Sequence, residues 1–254
     1  HKYAISVNEF LFWLINLTRS TIKMKIFSKI GTIFNGTGEE YIEYNIRGEK
    51  KKFIDDYKGA IEEFSKAIKL KPNYEEAYYN RGMSKAKLKN YNSAIEDFTK
   101  SIELKPGYAV THYRRGLAKY CLNDFSGALD DFNIAINLNP LYTEIYYNRG
   151  CSKLKLSKLI EAVKDFTKVT ELNPKHFASY FKRGTIYANL DSFNQAMDDF
   201  DVAIMINPEN PRTYFNRALI KLITENISGG REDLIKAGEL GYQPALLKLK
   251  EYFK

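Results

Sequence analysis

Cysteine is scarce in this 254-residue chain. Cys121 and Cys151 are the only two, too few for a disulfide framework. They fit a reducing compartment such as the cytoplasm, where free thiols behave as small apolar side chains. Long apolar runs are missing too. The longest, "FLFWLINL" at 10–17, falls well short of the ~18 residues that a membrane span needs. Three scattered histidines, His1, His112 and His176, make no metal site by spacing. No nucleophile–base arrangement is found, and paired acids such as "IDDY" and "LDDF" lie on periodic helices rather than in a converging cleft. No enzyme activity, cofactor or metal is therefore expected. Net charge is +8, yet no stretch forms a basic block, so no specific nucleic-acid partner is expected.

What is present is a period. Prolines stand at 72, 106, 140, 174 and 208, 34 residues apart. Gly48, Gly82, Gly116, Gly150 and Gly184 keep the same step, with Ala218 in the sixth place. Ala60, Ala94, Ala128, Ala162 and Ala196 follow it, then Gly230; so do Phe64, Phe98, Phe132, Phe166 and Phe200, then Leu234. Each unit reads as two helices. In 75–108 the first is predicted over Glu75–Leu88, a turn at "KNYN", and the second over Ser93–Leu104. Pro106 stands where it cannot continue the helix. Gly82 and Ala94 allow the two helices to cross closely, and Phe98 fills the space beside them.

Glycine, alanine, aromatic and proline at these places in a 34-residue unit resemble the tetratricopeptide repeat. The resemblance implies an all-α, right-handed α-solenoid of about six helix-turn-helix repeats: 41–74, 75–108, 109–142, 143–176, 177–210 and a degenerate 211–242. In the sixth, Ala218 replaces glycine, "SGGRED" opens the second helix and the closing proline is missing. Residues 1–40 form an N-terminal extension that reads as helical, and 243–254 form a capping helix with Pro244 in its first turn and Ala245, Leu246, Leu249 and Phe253 as its apolar stripe. The resemblance also implies a scaffold whose first helices line a concave groove for a peptide or partner protein.

An arginine precedes the small residue in every unit: Arg47, Arg81, Arg115, Arg149, Arg183 and Arg217. Sixteen residues after each stands an acid: Glu63, Asp97, Asp131, Asp165, Asp199 and Asp233. Burial would be costly for an unpaired guanidinium, so six structural ion pairs are expected. The acid's partner is either the arginine of its own unit or that of the next. A lysine recurs at Lys51, Lys85, Lys119, Lys153 and Lys221, with Tyr187 breaking the series; its stem is expected to cover apolar surface while the ammonium reaches water.

The opposite face of the first helix carries Glu76, Tyr79, Asn80, Met83 and Ala86. Tyr79, Tyr113, Tyr147, Phe181 and Phe215 make an aromatic ladder, with Asn45 at its start. Beside it run Asn80, Arg114, Asn148, Lys182 and Asn216. These ten positions from Tyr79 to Asn216 are the candidate groove for a peptide, with the asparagines hydrogen-bonding an extended backbone; packing of the aromatics between neighbouring helices is the alternative. Chaperone-binding members of the family place lysine at the ladder and asparagine on the next turn, where this chain has Met83, Leu117, Cys151, Thr185 and Leu219. That clamp is not matched.

Other signals are weaker. "GTIFNGTG" at 31–38 has Thr37 where a phosphate loop needs lysine; Asn35-Gly36 reads as a helix end, and Thr37 with Glu40 as a capping box. For the first residues three readings stand: a short helix capped by Ser6 and Glu9, a natural start at Met24, or a leftover leader core without a small-residue cleavage site. Residues 22–34 place Ile22, Ile26, Ile30, Ile33 and Phe34 on one face. The second functional reading is therefore a basic protein that binds nucleic acid or a membrane surface, with 1–34 as the membrane contact.

Overall fold

The computed structural model describes residues 39–253. The N-terminal readings on 1–38, including Thr37, lie outside the described residues. Thirteen helices and no strand occur among the described residues. They fall into two units, 39–122 and 123–253.

The first unit holds α1 (Glu40–Phe53), α2 (Tyr57–Leu70), α3 (Glu75–Lys87), α4 (Tyr91–Leu104) and α5 (Ala109–Cys121). Helix α1 begins at Glu40 with Glu39 at the cap and no side-chain cap bond. Glu40 is thus the first helical residue and not the third, where a capping box requires it. Helix α4 starts two residues earlier than "KNYN" suggested. The reason is the turn. Lys89 takes a left-handed φ of 62°, and the backbone N–H groups of Lys89 and Asn90 bond back to the Ala86 and Lys85 carbonyls at 3.0 and 2.9 Å. This closes α3 with a Schellman pair and frees Tyr91 to open the next helix. Asp55 repeats the conformation between α1 and α2. There Asp56 accepts the Gly59 N–H at 2.9 Å and caps α2.

Phe64 and Phe98 are fully buried beneath the preceding helix of their own hairpin. A Cβ on Gly48 would stand 2.4 Å from the Phe64 ring, and one on Gly82 would stand 2.9 Å from the Phe98 ring. Glycine is required by that approach. Between hairpins, Ala67, Tyr74 and Ala77 form a second layer with Tyr41 and Tyr44 against them.

The second unit holds α6 (Phe125–Leu138), α7 (Thr143–Lys155), α8 (Leu159–Leu172), α9 (Phe177–Asn189), α10 (Phe193–Ile206), α11 (Pro211–Ile223), α12 (Ile227–Glu239) and α13 (Gln243–Tyr252). Ser157, Asp191 and Glu225 hold the left-handed place in its turns. Gly150 and Gly184 again face Phe166 and Phe200. The departure at α11 and α12 is an exchange. Ala218 takes the glycine place and Gly230 takes the alanine place, where a Cβ would stand 2.8 Å from Leu222. The smaller Leu234 leaves room for the Ala218 methyl, and both residues are fully buried. Ala245, Leu249 and Phe253 of the terminal segment pack on Tyr214, Ala218, Leu234 and Ala237.

Candidate binding groove

Arginine chemistry is largely internal to the hairpins. Arg81 chelates Asp97 through Nε and Nη2 at 3.0 and 2.7 Å. Arg149 holds Asp165 at 3.0 and 2.6 Å, Arg183 holds Asp199 at 2.8 and 2.6 Å, and Arg217 holds Asp233 at 2.8 and 2.7 Å. In these four pairs the partner is the acid of the arginine's own hairpin. Arg47 departs from the expectation. It pairs with Glu43 on its own helix, and Glu63 takes Lys51 and Lys66 instead, at 3.7 and 2.9 Å. The longer glutamate reaches past the place where an aspartate would meet the guanidinium.

The recurring lysine is corrected as well. Lys85, Lys153 and Lys221 do not simply reach water. Their ammonium groups lie 2.8, 2.9 and 2.8 Å from Asp97, Asp165 and Asp233. One turn beyond the arginine, the lysine shares the carboxylate oxygen that the arginine Nε also meets. Asp199 has Tyr187 in that place; burial pushes its carboxyl above the ordinary range, against the opposing pull of Arg183.

The free guanidinium nitrogen exposes a series that sequence reading missed. Nη1 of Arg81, Arg115, Arg149 and Arg183 donates to Ser65, Thr99, Asn133 and Thr167 at 3.1, 3.0, 2.7 and 2.9 Å. Arg217 meets Asp201 in the same way. Each acceptor stands sixteen residues before its arginine, always polar and at the 34-residue step. That period was available as a signal. Each bond ties a first helix to the hairpin before it.

On the opposite face, the ladder aromatics are half inside. Tyr79, Tyr147 and Phe181 lean on Phe98, Phe166 and Phe200 of their own hairpins, with ring centroids 6.1, 5.9 and 6.1 Å apart. Tyr147 also meets His176 edge-on at 4.9 Å, Phe181 stacks on Phe177, and Phe215 meets Tyr242 at 5.1 Å. Tyr113 is only 6% exposed. Packing therefore claims a large part of each ring. Burial pushes the Tyr79 phenol up, against the nearby Arg114.

The asparagine row differs from the expectation at Asn80. It is 3% exposed, donates to Asn45 at 3.3 Å and accepts from Lys52 at 3.0 Å. Asn45 in turn donates to Glu76 at 3.4 Å. The amide is used inside the first unit and does not offer itself to a bound backbone. Burial, then repulsion from Glu49, pushes the Glu76 carboxyl up. Asn148 donates to the Glu144 carbonyl at 2.8 Å, and Asn216 is half-buried. Arg114 lies over the Tyr113 ring at 5.5 Å, and Lys182 is half-buried. Beside Arg114 opens a small cavity of about 120 Å³, lined by Met83, Ala86, Tyr91, Leu117 and Cys121.

No group of three or more His, Cys, Asp or Glu among the described residues could hold a metal ion. No helix there is long and apolar enough to cross a membrane. Both cysteines are free thiols, and burial pushes that of Cys151 up. His112 is buried and meets the Pro106 carbonyl at 3.0 Å.

Three family models match at these hairpins. Two described as tetratricopeptide repeat cover 75–108, and 143–176 with 177–210; a third, TPR repeat, covers 55–89. Residues 55–108 and 143–210 are tetratricopeptide repeats. Solved structures agree on the fold. MamA is 26% identical with a TM-score of 0.62, over 64% of this chain and 95% of its own. YrrB, described as a TPR protein with an unusual peptide-binding site, is 22% identical with a TM-score of 0.67, over 74% and 97%. PilF of Pseudomonas aeruginosa is 16% identical with a TM-score of 0.67, over 82% and 97%. No curated protein matches this chain.

Proposed function

We propose that the chain is a protein-interaction scaffold that binds a peptide or partner protein along the first-helix face of its repeats, opposite the arginines. The observation that carries this is the cavity beside Met83 and Ala86, on the face that the helical wheel selects. Pockets lined by apolar groups with a few polar ones at the rim are the usual form of a binding site. Similarity to YrrB, itself a peptide-binding repeat protein, supports the same reading. The ladder aromatics then act as a semi-rigid floor held by the core, and the turn after them, Met83 to Ala86 and its counterparts, makes contact.

The nucleic-acid and membrane-surface reading gains no support. Arg81, Arg149, Arg183 and Arg217 are held by aspartates, so they are not free to line up along a row of phosphates. The test is partner capture from the native source with the wild-type chain and with Ala86→Arg, which fills the cavity without removing a core side chain. The partner is expected to be lost from Ala86→Arg while the helical circular dichroism stays at the wild-type level. Equal capture by a folded Ala86→Arg places the contact elsewhere.

A further inference from the structure

Nearly every cation that recurs on the arginine side of the first helices is paired, but a second set on the groove side is not. Among the described residues Lys87, Arg114, Lys155 and Lys182 enter no ion pair, whereas Lys85, Lys153 and Lys221 all do. The four are not scattered. Lys155 follows Lys87 by two repeats, and Lys182 follows Arg114 by two repeats.

In the first unit, Lys87 and Arg114 both line the 120 Å³ cavity. A cavity of ~150 Å³ is known to take a benzene ring, so this space suits one leucine or phenylalanine side chain. The buried Nε of Arg114 has no hydrogen-bond partner among the described residues, and a buried donor left unpaired is costly until an acceptor arrives. In the second unit, Cys151 stands in the place of Met83, with Tyr147 and Leu154 packed beside it. The grouping of apolar side chains with two cations is thus built around the cavity of the first unit; in the second unit Lys155 and Lys182 keep the repeat spacing. On this face of the first unit Glu49 pairs with Lys52 and Glu76 with Asn45, so Lys87 and Arg114 form no ion pair with them.

We propose that the seam between α3 and α5 seats an acidic–apolar pair of an extended peptide. The apolar side chain enters beside Met83, and a neighbouring carboxylate of the ligand meets Lys87 and Arg114. Charge-assisted hydrogen bonds to guanidinium and ammonium supply the preference for acid over amide. This rests on the groove reading above and names the chemistry of its ligand.

The test uses the full chain and a short fluorescent peptide in which glutamates flank a phenylalanine. Two control peptides carry glutamine in place of glutamate, or serine in place of phenylalanine. The glutamate–phenylalanine peptide is expected to bind about tenfold tighter than either control, roughly 1.4 kcal/mol, and to weaken as salt rises. Lys87→Gln with Arg114→Gln is expected to cost about tenfold at unchanged helical content. Lys87→Gln alone, at an exposed residue, serves if the Arg114 change disturbs folding. Equal affinity for the glutamate and glutamine peptides, or no binding of the glutamate peptide, overturns the inference. If Ala86→Arg then abolishes binding of both peptides alike, the groove stands and only the acidic preference falls. If Ala86→Arg and the charge variants all bind as wild type does, the groove reading falls as well.

Discussion

Asp97 sits between Arg81 and Lys85: the guanidinium takes both its oxygens at 3.0 and 2.7 Å, and the ammonium takes one at 2.8 Å. One carboxylate on a second helix thus gathers two cations one turn apart on the first. The arrangement recurs at Asp165 and Asp233.

This asymmetry gives unequal mutant costs. Asp97→Asn leaves two cations without their counter-charge, whereas Arg81→Met leaves Asp97 with Lys85. Removing one partner from a partly buried pair costs ~2–4 kcal/mol, and Asp97→Asn is expected at the upper end. A double-mutant cycle by urea denaturation should give a coupling of about 1–3 kcal/mol. Additive single effects would mean that the pair does not act as drawn.

Asp199 tests the lysine by its absence. Its carboxyl is raised by burial, with Arg183 as the charged partner that opposes the shift and Tyr187 in the lysine place. Tyr187→Lys is expected to lower the Asp199 pKa, read by carbon NMR of the labelled carboxyl. Stability should change little. A new ion pair contributes up to ~1 kcal/mol, and the lost ring packing on Ala196 and Phe200 offsets it. An unmoved titration would show that the lysine series does not tune the aspartates.

Left-handed backbone at a non-glycine residue carries a cost of roughly 1–2 kcal/mol. Lys89, with φ of 62° and an exposed side chain, is a clear case. Lys89→Gly relieves the strain and adds unfolded-chain entropy of ~0.5–1 kcal/mol. The expected balance is a gain of up to about 1 kcal/mol in urea unfolding. A loss would mean that the lysine side chain contributes contacts that the turn geometry does not reveal.

His176 supplies a pH dependence. Burial lowers its pKa below 6.5, with Glu144 pulling the other way. The imidazole lies against Tyr147 and Ser179. The folded value is the lower one, so the unfolded chain takes up the proton first. This contribution to stability is full above about pH 6.5, falls as pH drops through that value, and levels off below the folded pKa. Denaturation between about pH 7 and about pH 5 should show a smaller loss for His176→Phe than for wild type. Parallel curves would exclude the histidine as a source.

The sequence alone determined the hairpins and most of their inner contacts. Within one hairpin, contact partners lie at a set sequence separation, so Gly82 against Phe98 was legible from spacing; an acid for each arginine was legible too, but not whether Asp97 meets Arg81 or the arginine of the next unit. The exchange of Ala218 and Gly230 was also legible as a departure, though not its compensation by Leu234. Tertiary structure decided how competing partners were allotted. A helical wheel gives an angle but neither a reach nor a neighbour. It could not show that Glu63 passes over Arg47 to Lys51, that the lysines turn back onto aspartates, or that Asn80 is claimed by Asn45 and Lys52. Nor could it separate the paired Lys85 from the unpaired Lys87, two residues on and facing the groove. That difference depends on which acids the adjoining helices bring within hydrogen-bond reach, and it becomes visible only once the hairpins are packed.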